Sequence, residues 1–497
     1  MTNDETQTPR PLIPPQSKYR ISPGARRPTG APIELALQSG AYGGKMIARQ
    51  TSDEGSRVVF VQGGIPGETV RADLTVEKKT FAEARASSIA AASPYRAAPP
   101  CPYFGENGVL RGPVPLSGAL QGARGVCGGC HYQHIDEAGQ LDLKRGIVAD
   151  LMQRQARLPD HVEVLPVIPS PQPWRYRNRA RWTIDEEGLP SYRQGASDRL
   201  LSVNLCHIIQ PELEAILTVL AGTEWRLPLR TLVDEITART ATPWYDDDDP
   251  KGRPERIVEL VLHARRGAKR RDLRMFAGDL GTALPGVNGV SLSHALEAGA
   301  VLGSGGSLYG AGYFDARFNG FRFRLAPLTF FQVNEETAEL MVADVLTQLG
   351  DLKGKSVLDI YAGAGTFAFP IARKAEQVLA LENDPLAIDD AHYSTRANKL
   401  ENVHVIPGDA EVELEGLPVN AAAAAVLDPP RAGLGEGVIA QLARIGVDRV
   451  VYVSCDPATL ARDLRRFGER GYTVERIQPI DLFPQTYHIE TIVTLSR

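Results

Sequence analysis

The sequence predicts an α/β protein in three parts: a small N-terminal β-barrel, a mixed α/β middle and a C-terminal parallel sheet covered by helices. Three observations carry that prediction. Short alternating segments broken by glycine turns fill Ile33 to about Ala90. Strand and helix patterns alternate cleanly from about Asp351 onward. Within that stretch Val357-Leu-Asp-Ile-Tyr361 runs into Gly363-Ala-Gly365, a glycine turn opening a helix. A chain of 497 residues has room for about three domains, each with its own core.

The first 30 residues hold six prolines, five basic residues and two acids, with no hydrophobic period, and read as a flexible basic arm. The barrel is expected over residues 31–92, with turns at Gly43-Gly44 and Gly63-Gly64. A Pro/Ala-rich joint, Ala91 to Pro100, opens the middle region, expected over 93–322. It begins with cysteines and a long helix from Asp136 to Arg157. It also holds an acidic run, Asp246 to Asp249, and a basic cluster, Arg265 to Arg271. The parallel sheet is expected in residues 323–497.

With 43% hydrophobic and 23% charged residues the chain is an ordinary globular one, not a disordered or coiled-coil protein. A net charge of −5 excludes a wholesale basic nucleic-acid binder and leaves only local patches for that role. Neither a signal peptide nor an apolar run near the roughly 18 residues of a membrane span is visible. A cytoplasmic chain is expected. Five cysteines, an odd and sparse set, do not form a disulfide framework.

In the C-terminal region Val378 to Leu381 is a second strand ending at Glu382, 17 residues after Gly365. A carboxylate there can accept both ribose hydroxyls of a nucleoside lying across the glycine turn. Further strands end at Asp428 and Cys455. Ligands of an open parallel sheet bind outside the carboxyl ends of its strands, so both residues share the rim with the glycine turn. Two last strands, Tyr472–Ile480 and Ile489–Leu495, are joined by a connection too short for a helix and must be antiparallel. That places Glu490 beside Cys455. A lone strand-end cysteine is ordinarily a small buried hydrophobe; its position beside a nucleoside site argues for chemistry.

Asp359-Ile-Tyr-Ala-Gly-Ala-Gly365, Asp428-Pro-Pro-Arg-Ala-Gly-Leu434, Val453-Ser-Cys-Asp-Pro-Ala-Thr-Leu-Ala-Arg-Asp463 and Phe483-Pro-Gln-Thr-Tyr-His-Ile-Glu490 resemble the signatures of the RNA uracil-5-methyltransferase family, as does Phe330-Phe-Gln-Val-Asn334. The resemblance implies a Rossmann-like, seven-stranded class I methyltransferase domain binding S-adenosylmethionine (SAM). It assigns Cys455 as nucleophile and Glu490 as the base for the C5 proton. Gln332, Tyr361, Glu382 and Asp428 match its SAM-site positions. Thr366 and Asp409 depart from the residues family members often carry there. The chemistry needs such groups. Uracil C5 is a poor nucleophile until a thiolate adds to C6, and the C5 proton must then leave to a carboxylate. The target base must be flipped out or single-stranded to be reached.

Cys127-Gly-Gly-Cys130, with Cys101 26 residues upstream and Cys206 76 downstream of the pair, suits zinc or an iron–sulfur cluster, unless the thiols are merely structural. Cys127 to Gln133 and Tyr176 to Arg181 resemble the cluster-bearing members, which implies a [4Fe–4S] cluster on all four. The insertion Gly105–Val126 departs from their spacing. No radical-SAM cysteine triplet is present.

Trp174 to Trp182 carries Arg175, Arg177, Arg179 and Arg181 at a two-residue period. As a strand it would offer four guanidiniums to phosphate on one face, with Trp174, Tyr176 and Trp182 on the other. The barrel resembles the family's TRAM domain, an RNA-binding module related to the oligonucleotide-binding fold. Lys78-Lys79 and its loops are expected on backbone. Barrel plus cluster resembles the bacterial 23S ribosomal RNA enzymes more than the compact tRNA uridine-54 enzyme, and a monomer is expected. A cytosine-5 enzyme would need a second cysteine in the catalytic region. A non-catalytic iron–sulfur RNA-binding protein is the rival of another class.

Overall fold

The computed structural model describes residues 31–52, 55–105, 126–159, 161–195, 197–245, 255–284, 286–293 and 304–497. The basic arm, most of the insertion before Cys127 and the acidic run fall outside them.

β1 (Ile33–Gly40), β2 (Met46–Ser52), β3 (Gly55–Gln62), β4 (Thr69–Glu77) and β5 (Phe81–Ala91) close a barrel in the order β1-β2-β3-β5-β4. Alternation fixes which face is inside: Leu35, Leu37, Val59, Val61, Val70, Ala72, Ala82 and Ala84 are all buried. Closure removes free sheet edges.

The middle region starts with α1 (Glu137–Leu151), capped by Asp136, whose carboxylate accepts from the Gly139 amide at 2.8 Å. The helix ends in a π-helical turn, Met152–Ala156. A seven-stranded sheet follows. It is built from β6 (Arg179–Ile184), β7 (Pro190–Arg193), β8 (Leu200–Ser202), β9 (Val233–Ala241), β10 (Ile257–Ala264), β11 (Val287–Ser293) and β12 (Ser304–Gly310). Its order is β12-β11-β10-β9-β6-β7-β8. α2 (Pro211–Leu220), α3 (Arg226–Leu232) and α4 (Arg270–Ala283) cover one face, where Trp182, Ile236, Leu260 and Leu292 meet Leu217, Leu229 and Phe276.

A hairpin, β13 (Phe314–Phe318) and β14 (Phe321–Leu325), joins the C-terminal core, where Phe323 stacks on Phe369 at 5.0 Å. After α5 (Glu335–Leu349) come β15 (Ser356–Ile360), α6 (Ala368–Ala372), β16 (Gln377–Glu382), α7 (Pro385–Ala397), β17 (Val403–Pro407), α8 (Ala410–Glu415) and β18 (Ala424–Leu427). Then follow α9 (Glu436–Ile445), β19 (Arg449–Ser454), α10 (Pro457–Glu469), β20 (Thr473–Ile480) and β21 (Glu490–Ser496). The sheet runs β17-β16-β15-β18-β19-β21-β20, and β21 is antiparallel to both its neighbours.

Apolar packing and backbone pairing both bind the parts together. Barrel residues, α1 and one side of the C-terminal sheet share a continuous apolar cluster, including Leu37, Ile147, Leu442 and Phe467. The segment around Val164–Ile168 pairs with edge strand β20, as Leu165 and Ile168 donate to the carbonyls of Ile477 and Pro479 at 3.0 Å. Among the described residues no helix is long and apolar enough to cross a membrane.

Candidate active site

The glycine turn after β15 bends through three positive-φ residues: Tyr361 at 68°, Gly363 at 57° and Gly365 at 102°. Only glycine fits at 365, since a Cβ there would lie 2.5 Å from the Phe369 ring. Glu382, ending β16, holds the turn. One carboxylate oxygen accepts from the Gly363 amide at 2.7 Å, and the other from the Asn383 and Asp384 amides at 2.8 Å. Each oxygen keeps further lone-pair capacity for a hydroxyl donor. Asp359 is fully buried behind the turn, and neither of its oxygens has a sound hydrogen-bond partner. Burial first, then the charge of Asp428, pushes its carboxyl up to about 8, with the Ala368 amide giving partial relief. A positive-φ glycine turn held by a carboxylate with spare lone-pair capacity fits the ribose of a nucleoside cofactor such as SAM.

Gln332 is buried, and its side-chain amide donates to Asp428 at 3.4 Å, a long contact. Phe330, two residues earlier, is 63% exposed. Thr366 is buried at the glycine turn, and Asp409 caps α8 through the Glu411 amide at 3.0 Å.

Cys455 follows β19 directly, and Glu490 begins β21. Since Ser454 is registered with Thr491, the antiparallel ladder brings the thiol and carboxyl to the same end of the sheet. Burial pushes the Cys455 thiol up to about 12, and the charges of Glu490 and Asp428 add to it while Arg431 opposes them. Glu490 is 4% exposed and also shifted upward, by burial and then by Asp428, again with Arg431 opposing. Asp428 is raised too, by burial. The rim thus gathers a thiol and two carboxyls that all favour their neutral forms, with one guanidinium as counterweight. Arg431 stood in a motif but was given no role from sequence; its place after Asp428-Pro-Pro was the available signal.

The four remaining cysteines come together. Burial raises each thiol, and Cys130 lies in the fields of Cys206, Cys127 and Cys101. Their sulfurs face donors: the Gly129 amide at 3.4 Å for Cys127, and for Cys206 the Ile208 and Ile209 amides and the Tyr192 hydroxyl. Gln133 serves Cys101 and Cys130. Such donors suit sulfurs that carry charge, as in thiolate-held groups. Among the described residues, no three His, Cys, Asp or Glu side chains are arranged to hold a metal ion.

The expected four-arginine face is corrected. β6 starts only at Arg179, and Arg175 takes a left-handed φ of 58° and ion-pairs with Glu214. The strand itself presents Arg179 and Arg181, with Arg181 paired to Glu235. Arg177 instead donates to the Arg179 carbonyl at 2.9 Å. Trp182 is buried as the alternation requires, whereas Tyr176 is buried before the strand begins and Trp174 is only half-buried. Lys78 and Lys79 lie exposed at the β4–β5 turn.

Comparison with known proteins agrees in direction. A family model described as tRNA (Uracil-5-)-methyltransferase matches residues 315–497. An uncharacterized RNA methyltransferase of Gloeobacter violaceus is 31% identical over 483 residues, covering 96% of this chain and 99% of that one. Another, of Bacillus cereus, is 30% identical over 88% of this chain and 92% of its own length. The Pyrococcus abyssi tRNA (uracil-54, C5)-methyltransferase, solved with S-adenosyl-L-homocysteine, shares the fold. Its TM-score is 0.66 at 20% identity, covering 93% of this chain and all of that one.

Proposed function

This chain belongs to the RNA (uracil-5-)-methyltransferase family, and we propose that it methylates C5 of a uridine through a covalent adduct between Cys455 and C6. The carrying observation is the meeting of Cys455, Glu490 and Asp428, from three separate strand ends, in one another's electrostatic field. SAM bound across the glycine turn supplies an electrophilic methyl group and a positive sulfonium. Gln332, Tyr361, Glu382 and Asp428 are the residues that would hold it.

The Cys455 thiol sheds its proton to solvent, helped by Arg431, and the sulfur adds to C6. The C5=C6 electron pair moves onto the C4 carbonyl oxygen. As the C4 carbonyl re-forms, C5 would take the methyl group, and the methyl–sulfur electron pair would stay on sulfur, leaving a neutral thioether, S-adenosyl-L-homocysteine. Glu490 removes the C5 proton while the C6–S bond breaks, which restores the C5=C6 double bond and the thiolate. A carboxyl with raised proton affinity is the stronger base for such a proton. Asp428 orients the base from the same rim.

The RNA presents the uridine flipped out or unpaired. We assign 23S ribosomal RNA as substrate, on the barrel and four-thiol site together, acted on by a cytoplasmic monomer. Transfer RNA is the second reading, favoured by the full-length likeness to an archaeal tRNA enzyme of the same architecture. The barrel and the Arg179–Arg181 strand would meet phosphates.

We further assign a [4Fe–4S] cluster to Cys101, Cys127, Cys130 and Cys206. Mutually close thiols with amide donors support it. Four thiolates also suit zinc, at about 2.3 Å from one ion, which is the alternative occupant.

Methyl transfer from labelled SAM to ribosomal and transfer RNA tests the function, with C455A as control. Labelling of either RNA that survives in C455A refutes the covalent mechanism. Labelling of tRNA alone moves the substrate to the second reading.

A further inference from the structure

We propose that Tyr42, carried by the barrel, is a positioning residue for Cys455, so that the barrel completes the catalytic rim; this rests on the reading of Cys455 as nucleophile. Tyr42 stands in the β1–β2 turn, closed by the Ala41 amide donating to the Lys45 carbonyl at 2.8 Å. Gly43 and Gly44 follow at φ of 102° and 90°. The turn lies against the rim. A Cβ on Gly44 would be 3.5 Å from the Tyr487 ring and 3.6 Å from His131.

The Tyr42 hydroxyl donates to the Cys455 carbonyl at 3.3 Å, across 413 residues of sequence. Its ring meets Tyr487 edge-on at 5.6 Å. Tyr487 in turn packs on His131 at 4.5 Å and His488 at 4.3 Å. A row of rings therefore runs from the nucleophile's backbone to the segment bearing Cys130. Burial keeps the hydroxyl protonated and hence a donor.

The carbonyl orientation of Cys455 fixes its ψ, and with it the path from the nucleophile into α10. The flanking residues are already held. Asp456 caps α10 by accepting from the Ala458 and Thr459 amides at 2.9 and 3.0 Å. Ser454 donates to the Asp456 carbonyl at 3.1 Å. Tyr42 supplies a restraint at the reactive residue itself. A sulfur displaced by about 1 Å from its attack position can lose roughly 10²-fold in rate.

The test compares wild type with Tyr42→Phe, which keeps the ring row and removes only the hydroxyl. Both are assayed below their melting temperatures, with natural RNA and with 5-fluorouridine RNA, whose adduct cannot lose a C5 proton. Expected for Y42F is a fall of about 5- to 50-fold in both kcat and the rate of adduct formation. KM for RNA and SAM affinity should stay within about twofold, the signature of an interaction serving the chemical step. Equal adduct rates in the two proteins, or a raised KM with unchanged kcat, would overturn the proposal. Absence of any adduct in wild type would instead overturn the Cys455 reading on which it rests.

Discussion

Lys144 and Asp481 form a buried ion pair, Nζ to Oδ1 at 2.6 Å, with side chains 0% and 4% exposed. The Lys144 ammonium also donates to the Phe483 carbonyl at 3.0 Å. The pair ties α1 to the connection that delivers Glu490. Lys144→Met leaves a buried carboxylate without its partner, which costs about 3–5 kcal/mol. Denaturant unfolding followed by loss of activity should show that destabilisation. The double variant with Asp481→Leu should recover most of it, because the charge left behind is then gone.

Glu490→Gln should separate the two halves of the reaction. Addition and methyl transfer need no base at C5, while release does. A slow-migrating protein–RNA species should therefore accumulate on denaturing gels, with turnover reduced by about 10²- to 10⁴-fold. C455A should give no such species. An E490Q protein that turns over at the wild-type rate would remove Glu490 from the mechanism.

Arg431 lowers the proton affinity of both Cys455 and Glu490. Both must be deprotonated to act, so rate rises with pH through their titration. Arg431→Gln withdraws the positive charge and raises both groups. The acid limb of the single-turnover profile should move to higher pH, and the rate at a fixed pH on that limb should fall. An unmoved limb would show that the guanidinium does not reach the reacting groups.

Glu259 is 1% exposed in the middle sheet, and burial pushes its carboxyl up to about 8. Its second oxygen has no partner, while the first accepts from Asn288 at 2.9 Å. The folded protein holds this proton more tightly than the unfolded chain, so stability falls as pH rises above the ordinary carboxylate range towards 8. Glu259→Gln keeps the Asn288 contact and abolishes the titration. It should stabilise the protein by about 1–3 kcal/mol at pH 8 and by little at pH 5. Melting curves at the two pH values decide it.

The four-thiol site makes its own prediction. Protein purified without oxygen should be brown and hold about four irons per chain. Cys127→Ser with Cys130→Ser should lose colour and iron together. A colourless preparation with one zinc would replace the cluster with the alternative metal.

Much of the placement of Asp428, Cys455 and Glu490 on one rim was legible in the sequence because topology follows from turns and strand lengths. The short Asp481–His488 connection forced antiparallel strands, and the Ser454–Thr491 register delivers Glu490 as that argument requires. The arginine row was misread because a two-residue period says nothing about φ. Arg175 turns left-handed, so the strand starts later. Tyr42 left no local pattern, since its partner is 413 residues away. Cys101 could be associated with the other thiols only by type, and spacing across an insertion does not set geometry.

The loop that ends at Glu490 is held almost wholly from outside its own sheet. Gln140 and Gln485 exchange reciprocal amide contacts at 2.9 and 3.0 Å, and the His131 and Tyr132 amides both donate to the Gln485 carbonyl. Tyr176 donates to the Pro484 carbonyl at 3.1 Å. An excised C-terminal sheet would therefore lose these holds on the connection that leads into Glu490. The unit that sets the position of Glu490 is larger than the sheet that bears it.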